Sequence, residues 1–204
     1  MNKFVVTSYY TFDTPYAQVV HECLFPSIQK LECEMKYSIR GVKNLGSWQK
    51  NTSYKAEFLR NEIDIQNENL VFVDCDAEIL GYLKLFEEIP EQFNIAAHFL
   101  DKGKWYQKGH LDRDLLTGTL FLRNNDETRV ILDEWVRRCK ESIEWEQRIL
   151  QKIVEERNIE VYELPIEYCW IKTMPNGDNP YIQPSGDIMV QHNQVSRKFK
   201  KLIS

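Results

Sequence analysis

A chain of 204 residues that is 43% hydrophobic and 28% charged has material for one substantial core and no surplus for a second module, so a single domain over 1–204 is expected, with any active site built on the fold itself. The balance of 26 Lys and Arg against 31 Asp and Glu, a formal charge of −5, excludes a global attraction to nucleic acid. Five scattered cysteines with no Cys-x-x-Cys pair exclude a disulfide framework or a Cys-rich zinc site and fit a reducing cytoplasm, and the absence of a secretory leader or a membrane-length apolar run predicts a soluble protein.

Residues 4–9 (FVVTSY) are short, apolar and β-branched, and they end in a polar, Pro-containing segment, which predicts a buried first strand. From Tyr16 the apolar positions Val19, Val20, Cys23, Leu24, Ile28 and Leu31 recur at spacings of three and four, a helix that Pro26 kinks or divides. Residues 36–42 alternate and read as a second strand, closing a β-α-β unit. After a loop around Gly46, residues 52–63 have helical spacing with Asn51 or Thr52 as N-cap. The fully apolar run 70–73 then predicts a central strand covered on both faces, and it leads directly into Asp74-Cys75-Asp76.

Residues 79–89 read as a helix before Pro90, 94–99 as a strand, and 101–114 as a mobile loop. Residues 115–122 read as a strand interrupted by Gly118, a place where a ligand can approach the backbone. Residues 126–142 form an amphipathic helix capped by Asn125 or Asp126, with Val130, Ile131, Trp135 and Val136 inward; a second helix spans 144–157. Late strands are expected at 161–164 and 188–190, with an irregular Pro-, Gly- and Asn-rich segment, 175–186, over the site. The pattern predicts an α/β domain, Rossmann-like, with a mixed, mostly parallel sheet flanked by helices. Ligands bind beyond the carboxyl ends of such strands.

Asp74 and Asp76 lie at such an end. In an extended segment residues i and i+2 project to one side, so the two carboxylates converge and repel each other unless a cation joins them. Hard carboxylate oxygens suit Mg²⁺ or Mn²⁺, ions that bridge protein carboxylates to phosphates. His192 is the candidate third ligand and tilts the choice toward Mn²⁺. Ser196, Arg197 and Lys198 follow as candidate phosphate donors, at the head of a basic patch that a solvated tail would equally explain.

Taken in order, Val5-Val6-Thr7-Ser8-Tyr9, Lys55 on a helix, Val71-Phe72-Val73-Asp74-Cys75-Asp76, Thr117-Gly118-Thr119-Leu120, Trp145-Glu146-Gln147 and His192 resemble the GT-A nucleotide-diphospho-sugar transferases, in particular the glycogenin and lipopolysaccharide galactosyltransferase group. The resemblance implies a metal-dependent glycosyltransferase using a nucleotide-diphosphate sugar, most simply a UDP-sugar, with retention of anomeric configuration. It implies that Thr7, Ser8 and Tyr9 line the base and ribose, and that Lys55 faces the sugar or phosphates. Asp74 would meet the sugar or ribose side, Asp76 and His192 the ion, and Gly118 would admit the sugar. Glu146 would hold sugar hydroxyls and Gln147 would lie near the anomeric carbon. These enzymes usually carry Asp-Gln where this chain has Glu146-Gln147, a departure that moves the carboxylate outward by one methylene.

Two other classes compete with this reading. A nucleotide-sugar-binding protein without transferase activity would show binding and no turnover. A nucleotidyltransferase would carry a Gly-rich, basic phosphate loop after the first strand, and residues 7–15 contain neither Gly nor Lys. An inverting enzyme would need a general base, for which His110, Asp112 and Asp114 qualify by location. Trp105, Tyr106, Trp145 and Trp170 are candidates to stack on a sugar, but nothing in the sequence distinguishes a glycan, lipid, protein or modified nucleic-acid acceptor.

Overall fold

The computed structural model describes residues 3–31, 33–106, 112–174, 177–178 and 184–199. Strand β1 (Phe4–Thr11) passes through helices α1 (Tyr16–Glu22) and α2 (Leu24–Gln29) into β2 (Tyr37–Val42), and α3 (Trp48–Gln66) leads to β3 (Asn69–Val73). Then come β4 (Ala77–Ile79), α4 (Leu85–Glu88), β5 (Ile95–Asp101), α5 (Lys102–Tyr106), β6 (Arg113–Leu122), α6 (Asp126–Glu141), α7 (Glu146–Glu156) and β7 (Val161–Glu163). A 3₁₀ turn (Ile166–Tyr168), β8 (Trp170–Ile171), β9 (Thr173–Met174), β10 (Gly177–Asp178), β11 (Val190–His192) and α8 (Ser196–Phe199) complete it.

The main sheet has the order β2-β1-β3-β6-β5-β7. Pairings β1/β2, β1/β3 and β5/β7 are parallel, while β6 runs antiparallel to both neighbours, so the sheet is mixed and mostly parallel as expected. Alternation along the strands divides the core. Val5, Leu70, Phe72 and Leu120 pack with Leu59 of α3, Trp135 of α6 and Ile149 of α7, whereas Val6, Val71, Val73 and Phe121 pack on the other face with Val20, Leu24 and Phe86. Both faces are thus covered, which is why 70–73 is continuously apolar. A small second sheet, β4-β11-β8, joins the end of β3 to the C-terminal region.

Several elements differ from the sequence expectations. The helix expected at 79–89 is instead β4, a bend and the single turn α4. Ile79, Leu83, Phe86 and Ile89 do recur at helical spacing and are buried, but pairing of β4 with β11 captures the first part of the segment. Helix α3 begins at Trp48, four residues before the expected start, capped by Ser47, whose Oγ accepts from Lys50 N at 3.2 Å. Asn51 does not cap; it accepts from Leu45 N at 2.7 Å and holds the preceding loop. Val130 is 50% exposed because the inward stripe of α6 runs through Thr128, Ile131, Leu132 and Trp135. Within the loop expected at 101–114, α5 and the first residues of β6 are regular, and 107–111, with His110, lie outside the described residues. The second of the paired helices starts at Glu146 and not at 144. The last strand is shifted to Val190–His192, which puts His192 inside it. Of the segment 175–186, only 177–178 and 184–186 are described. Among the described residues no helix is long and apolar enough to cross a membrane.

Candidate active site

Strand pairing at the carboxyl end of β3 assembles the site. Asp74 N donates to Gly118 O at 2.9 Å, and Ala77 N donates back to Asp74 O at 2.9 Å, so the chain turns tightly from β3 into β4. Strand β11 pairs antiparallel with β4 in the register His192↔Ala77, which sets the imidazole beside the turn. One ligand atom from each of Asp74, Asp76 and His192 lies within 4.8 Å of the others.

Asp76 is 7% exposed, and its Oδ2 accepts from Val195 N at 2.7 Å. Gln194, held in the left-handed region at φ 55, turns the chain so that this N–H points inward. Burial, then the Asp74 charge, push the Asp76 carboxyl up to about 6. Burial pushes His192 down to about 4, which keeps the imidazole neutral and able to act as a ligand. Its Nε2 lies 2.9 Å from Thr119 Oγ1, leaving Nδ1 as the ring nitrogen for a ligand.

Gly118 is closely packed against the ligand side chains. A Cβ there would sit 3.0 Å from His192 Cε1 and 3.1 Å from Asp74 Oδ2, tighter than ordinary contacts. Residues 117–119 form a bulge in β6, where pairing jumps from Ala97↔Leu120 to His98↔Leu116 and three residues of β6 face none of β5. Thr117, Gly118 and Thr119 are thereby released from β5, and all three serve the site.

Lys55 enters from α3. It is 5% exposed, and its Nζ lies 3.0 Å from Asp74 Oδ1, 3.1 Å from Thr117 O and 3.4 Å from Glu146 Oε1, above the Phe72 ring. Burial alone would lower its pKa, but the Asp74 and Glu146 carboxylates outweigh that and raise it, so Lys55 is a permanent cation. Thr117 Oγ1 donates to Glu146 Oε1 at 3.1 Å and Thr117 N donates to Gln147 Oε1 at 3.3 Å. The start of α7 is anchored from below, where Trp135 Nε1 donates to Glu146 O at 2.8 Å.

These groups share one cavity. Asp74, Asp76, Gly118 and His192 form its floor; Trp48, Asn51, Thr52 and Lys55, one face of α3, form a wall; Trp145, Glu146 and Gln147 form another. The end of β1 contributes Tyr9, Tyr10 and Thr11. Thr7 and Ser8, expected here, are fully buried in the sheet, with Thr7 Oγ1 donating to Ser38 O at 3.1 Å. The physical reason is that β1 runs two residues beyond its expected end, so its carboxyl terminus presents Tyr10 and Thr11 instead. Lys198 is exposed and away from the cavity lining, and the side chains of Ser196 and Arg197 lie outside the described residues. Asp112 and Asp114 pair with Lys102 and do not line the cavity. Sequence reasoning missed Trp48, Gln194 and the supporting roles of Thr117 and Thr119; the doublet of threonines around Gly118 was the available signal.

The donor set fits a divalent ion. Two carboxylates and a neutral imidazole converge in a buried site, and three carboxylates against one ammonium leave a formal charge of −2 when Asp76 is ionised. A hard or borderline divalent cation matches both charge and donors, and Asp76 is the group whose charged form most needs it.

No protein-family model and no curated protein matches this sequence. Solved structures do. A glycosyltransferase involved in glycosylation of the major capsid of PBCV-1 superposes with TM-score 0.66 at 12% identity, covering 98% of each chain. Mouse xyloside xylosyltransferase 1 superposes with TM-score 0.57 at 10% identity over 95% of this chain and 97% of that one. The galactosyltransferase LgtC, in complex with donor and acceptor sugar analogues, gives 0.52 at 11% identity over 92% and 86%. Strand order, mixed sheet and near-complete coverage together establish that this chain has the fold of the GT-A glycosyltransferases.

Proposed function

We propose that this chain is a single-domain transferase that moves a sugar from a nucleoside diphosphate sugar, most simply a UDP-sugar, to an acceptor hydroxyl with retention, using Mn²⁺ or Mg²⁺. The observation that carries it is the convergence of Asp74, Asp76 and His192 at the carboxyl end of the central strand, in a cavity shared with Lys55, Glu146 and Gln147. Its free thiols fit the cytoplasm.

In this reading Asp74, Asp76 and His192 hold the ion. When bound, the ion supplies Lewis-acid stabilisation of the departing diphosphate. Tyr9, Tyr10 and Thr11 bound the base and ribose. Ser196 and Arg197, which follow Val195 beside Asp76, are assigned to the phosphates, and Lys198, outside the cavity lining, is not. Gly118 gives the sugar access to the floor. Lys55 adds a fixed positive charge beside Asp74 and holds Glu146 in place, so no reorganisation is needed as charge develops. Glu146 accepts from sugar hydroxyls. Gln147, its Oε1 engaged by Thr117 N, offers its NH₂ toward the reacting centre.

Thermal melts with UDP, GDP and their sugars, with and without Mn²⁺, test the reading. A ligand at 100 times its Kd stabilises by about 2.7 kcal/mol, and the shift should need nucleotide and metal together. Stabilisation by a UDP-sugar followed by its turnover is the expected result. Binding with no turnover on any hydroxyl or water acceptor makes the chain a nucleotide-sugar-binding protein. No shift with any nucleotide overturns the reading.

A further inference from the structure

Two tryptophans meet at the lip of this cavity. Trp48 is the first residue of α3 and Trp145 the N-cap of α7, so each indole is carried by a helix start and not by a free loop. Their ring centroids are 5.7 Å apart with planes inclined at 53°, an open corner instead of a closed stack. The Trp48 indole is also hydrogen-bonded to the hydroxyl of Tyr16, which packs edge-on against Phe199 of α8. Trp145 keeps 44% of its surface in water, and the next two residues are Glu146 and Gln147.

The core does not account for this arrangement. Trp135, on α6, is fully buried in the core, whereas Trp145 stays exposed at the lip of the cavity. The corner instead offers two flat apolar faces beside a carboxylate and a carboxamide. That combination suits a pyranose ring: its C–H face lies against an indole while its hydroxyls meet polar groups. A lipid tail would call for an aliphatic groove, whereas the wall below Trp48 continues through the polar Asn51 and Thr52.

We propose that Trp48 and Trp145 form the acceptor subsite, and that the acceptor is a carbohydrate whose terminal ring stacks in this corner. The proposal rests on the transferase reading for the word acceptor; the sugar-binding corner itself does not. The position is consistent with the chemistry, because a ring held by Trp145 lies next to Glu146 and Gln147, where the transferred sugar is assigned.

The test is a printed array of mono- and oligosaccharides probed with the full chain, with and without UDP and Mn²⁺, for the wild type and Trp48→Ala, Trp145→Ala and Trp145→Phe. UDP affinity in the presence of Mn²⁺ and a thermal melt are measured for each variant in parallel. The expected result is a defined set of glycans retained by the wild type, weakened about tenfold or more by each Ala variant and largely kept by Trp145→Phe, with UDP affinity unchanged. Three results would overturn the proposal: no glycan retained by a wild type that binds UDP, glycan retention indifferent to both Ala variants, or loss of UDP affinity in the Ala variants, which would make the corner a base-stacking site. If the wild type fails to bind UDP with Mn²⁺ but glycans still depend on the two indoles, the transferase reading falls and the corner stands. If one Ala variant does not fold, the other together with Trp145→Phe still decides.

Discussion

Lys55 Nζ lies 3.0 Å from Asp74 Oδ1, a buried ammonium on a half-exposed carboxylate at the end of the central strand. The pair ties α3 to β3 and, through Glu146 at 3.4 Å, to α7. Through this one side chain α3, the end of β3 and the start of α7 meet at the cavity.

Removing that ammonium without filling its role leaves Glu146 buried beside Asp74 with no counter-charge. Lys55→Met should lower the unfolding free energy by about 2–4 kcal/mol, toward the lower end because the Asp74 side chain is 40% exposed to water. Urea titration of the single variants and of Lys55→Met/Glu146→Gln measures it, and the double variant should recover part of the loss. Purely additive effects would contradict the assigned pairing.

Gly118→Ala places a methyl group 3.0 Å from His192 and 3.1 Å from Asp74. Because Gly118 has ordinary strand geometry, the cost falls on those two side chains and not on the backbone. We expect a folded protein whose Mn²⁺ affinity drops by roughly tenfold or more, read by calorimetry. An alanine variant that binds the ion normally would show that His192 and Asp74 yield to the methyl group and that Gly118 is not needed for the site.

Thr119 fixes the orientation of the His192 ring through Nε2 at 2.9 Å. Thr119→Val keeps shape and removes the hydroxyl, so the ring loses its partner. The expected effect is about a 10–100-fold fall in metal affinity together with a loss of about 1–3 kcal/mol in stability from the buried, unpartnered nitrogen, and Thr119→Ser should restore most of both.

Asp76 supplies a pH-dependent prediction. Its carboxyl is raised from an ordinary 3.8 to about 6, so the native state binds this proton more tightly than the unfolded chain does. The favourable contribution is therefore complete below about pH 4, is lost as pH rises toward 6, and stays lost above it. In metal-free buffer Asp76→Asn, which can still accept from Val195 N, should be as stable as the wild type at pH 4 and more stable at pH 7. The same substitution should abolish Mn²⁺ binding and transfer. Chemical denaturation at the two pH values decides the first half, and calorimetry the second.

The mixed α/β architecture and the metal-ligand candidates are legible in the linear pattern. The apolar run 70–73 reads as a strand covered on both faces, and two acids at its exit mark the place where a cation would relieve their repulsion. Of the residues that the spacing turns inward on α6, Ile131, Trp135 and Val136 pack in or against the core and Val130 does not. How His192 comes to meet those acids is set by long-range pairing. His192 reaches Asp76 because β11 adds to β4, a pairing of two three-residue strands too short to announce themselves, and the same pairing overrode the helical spacing of 79–89. The bulge at residues 117–119 was legible only as Gly118 interrupting the apolar run of β6, and its three-residue extent is set by the pairing with β5. Likewise Trp48 meets Trp145 only because two helix starts converge, and Thr7 and Ser8 drop out because β1 runs two residues further than its apolar pattern. Periodicity along one chain reports which face a residue takes, while register between distant segments is set by pairing and packing that no local window contains.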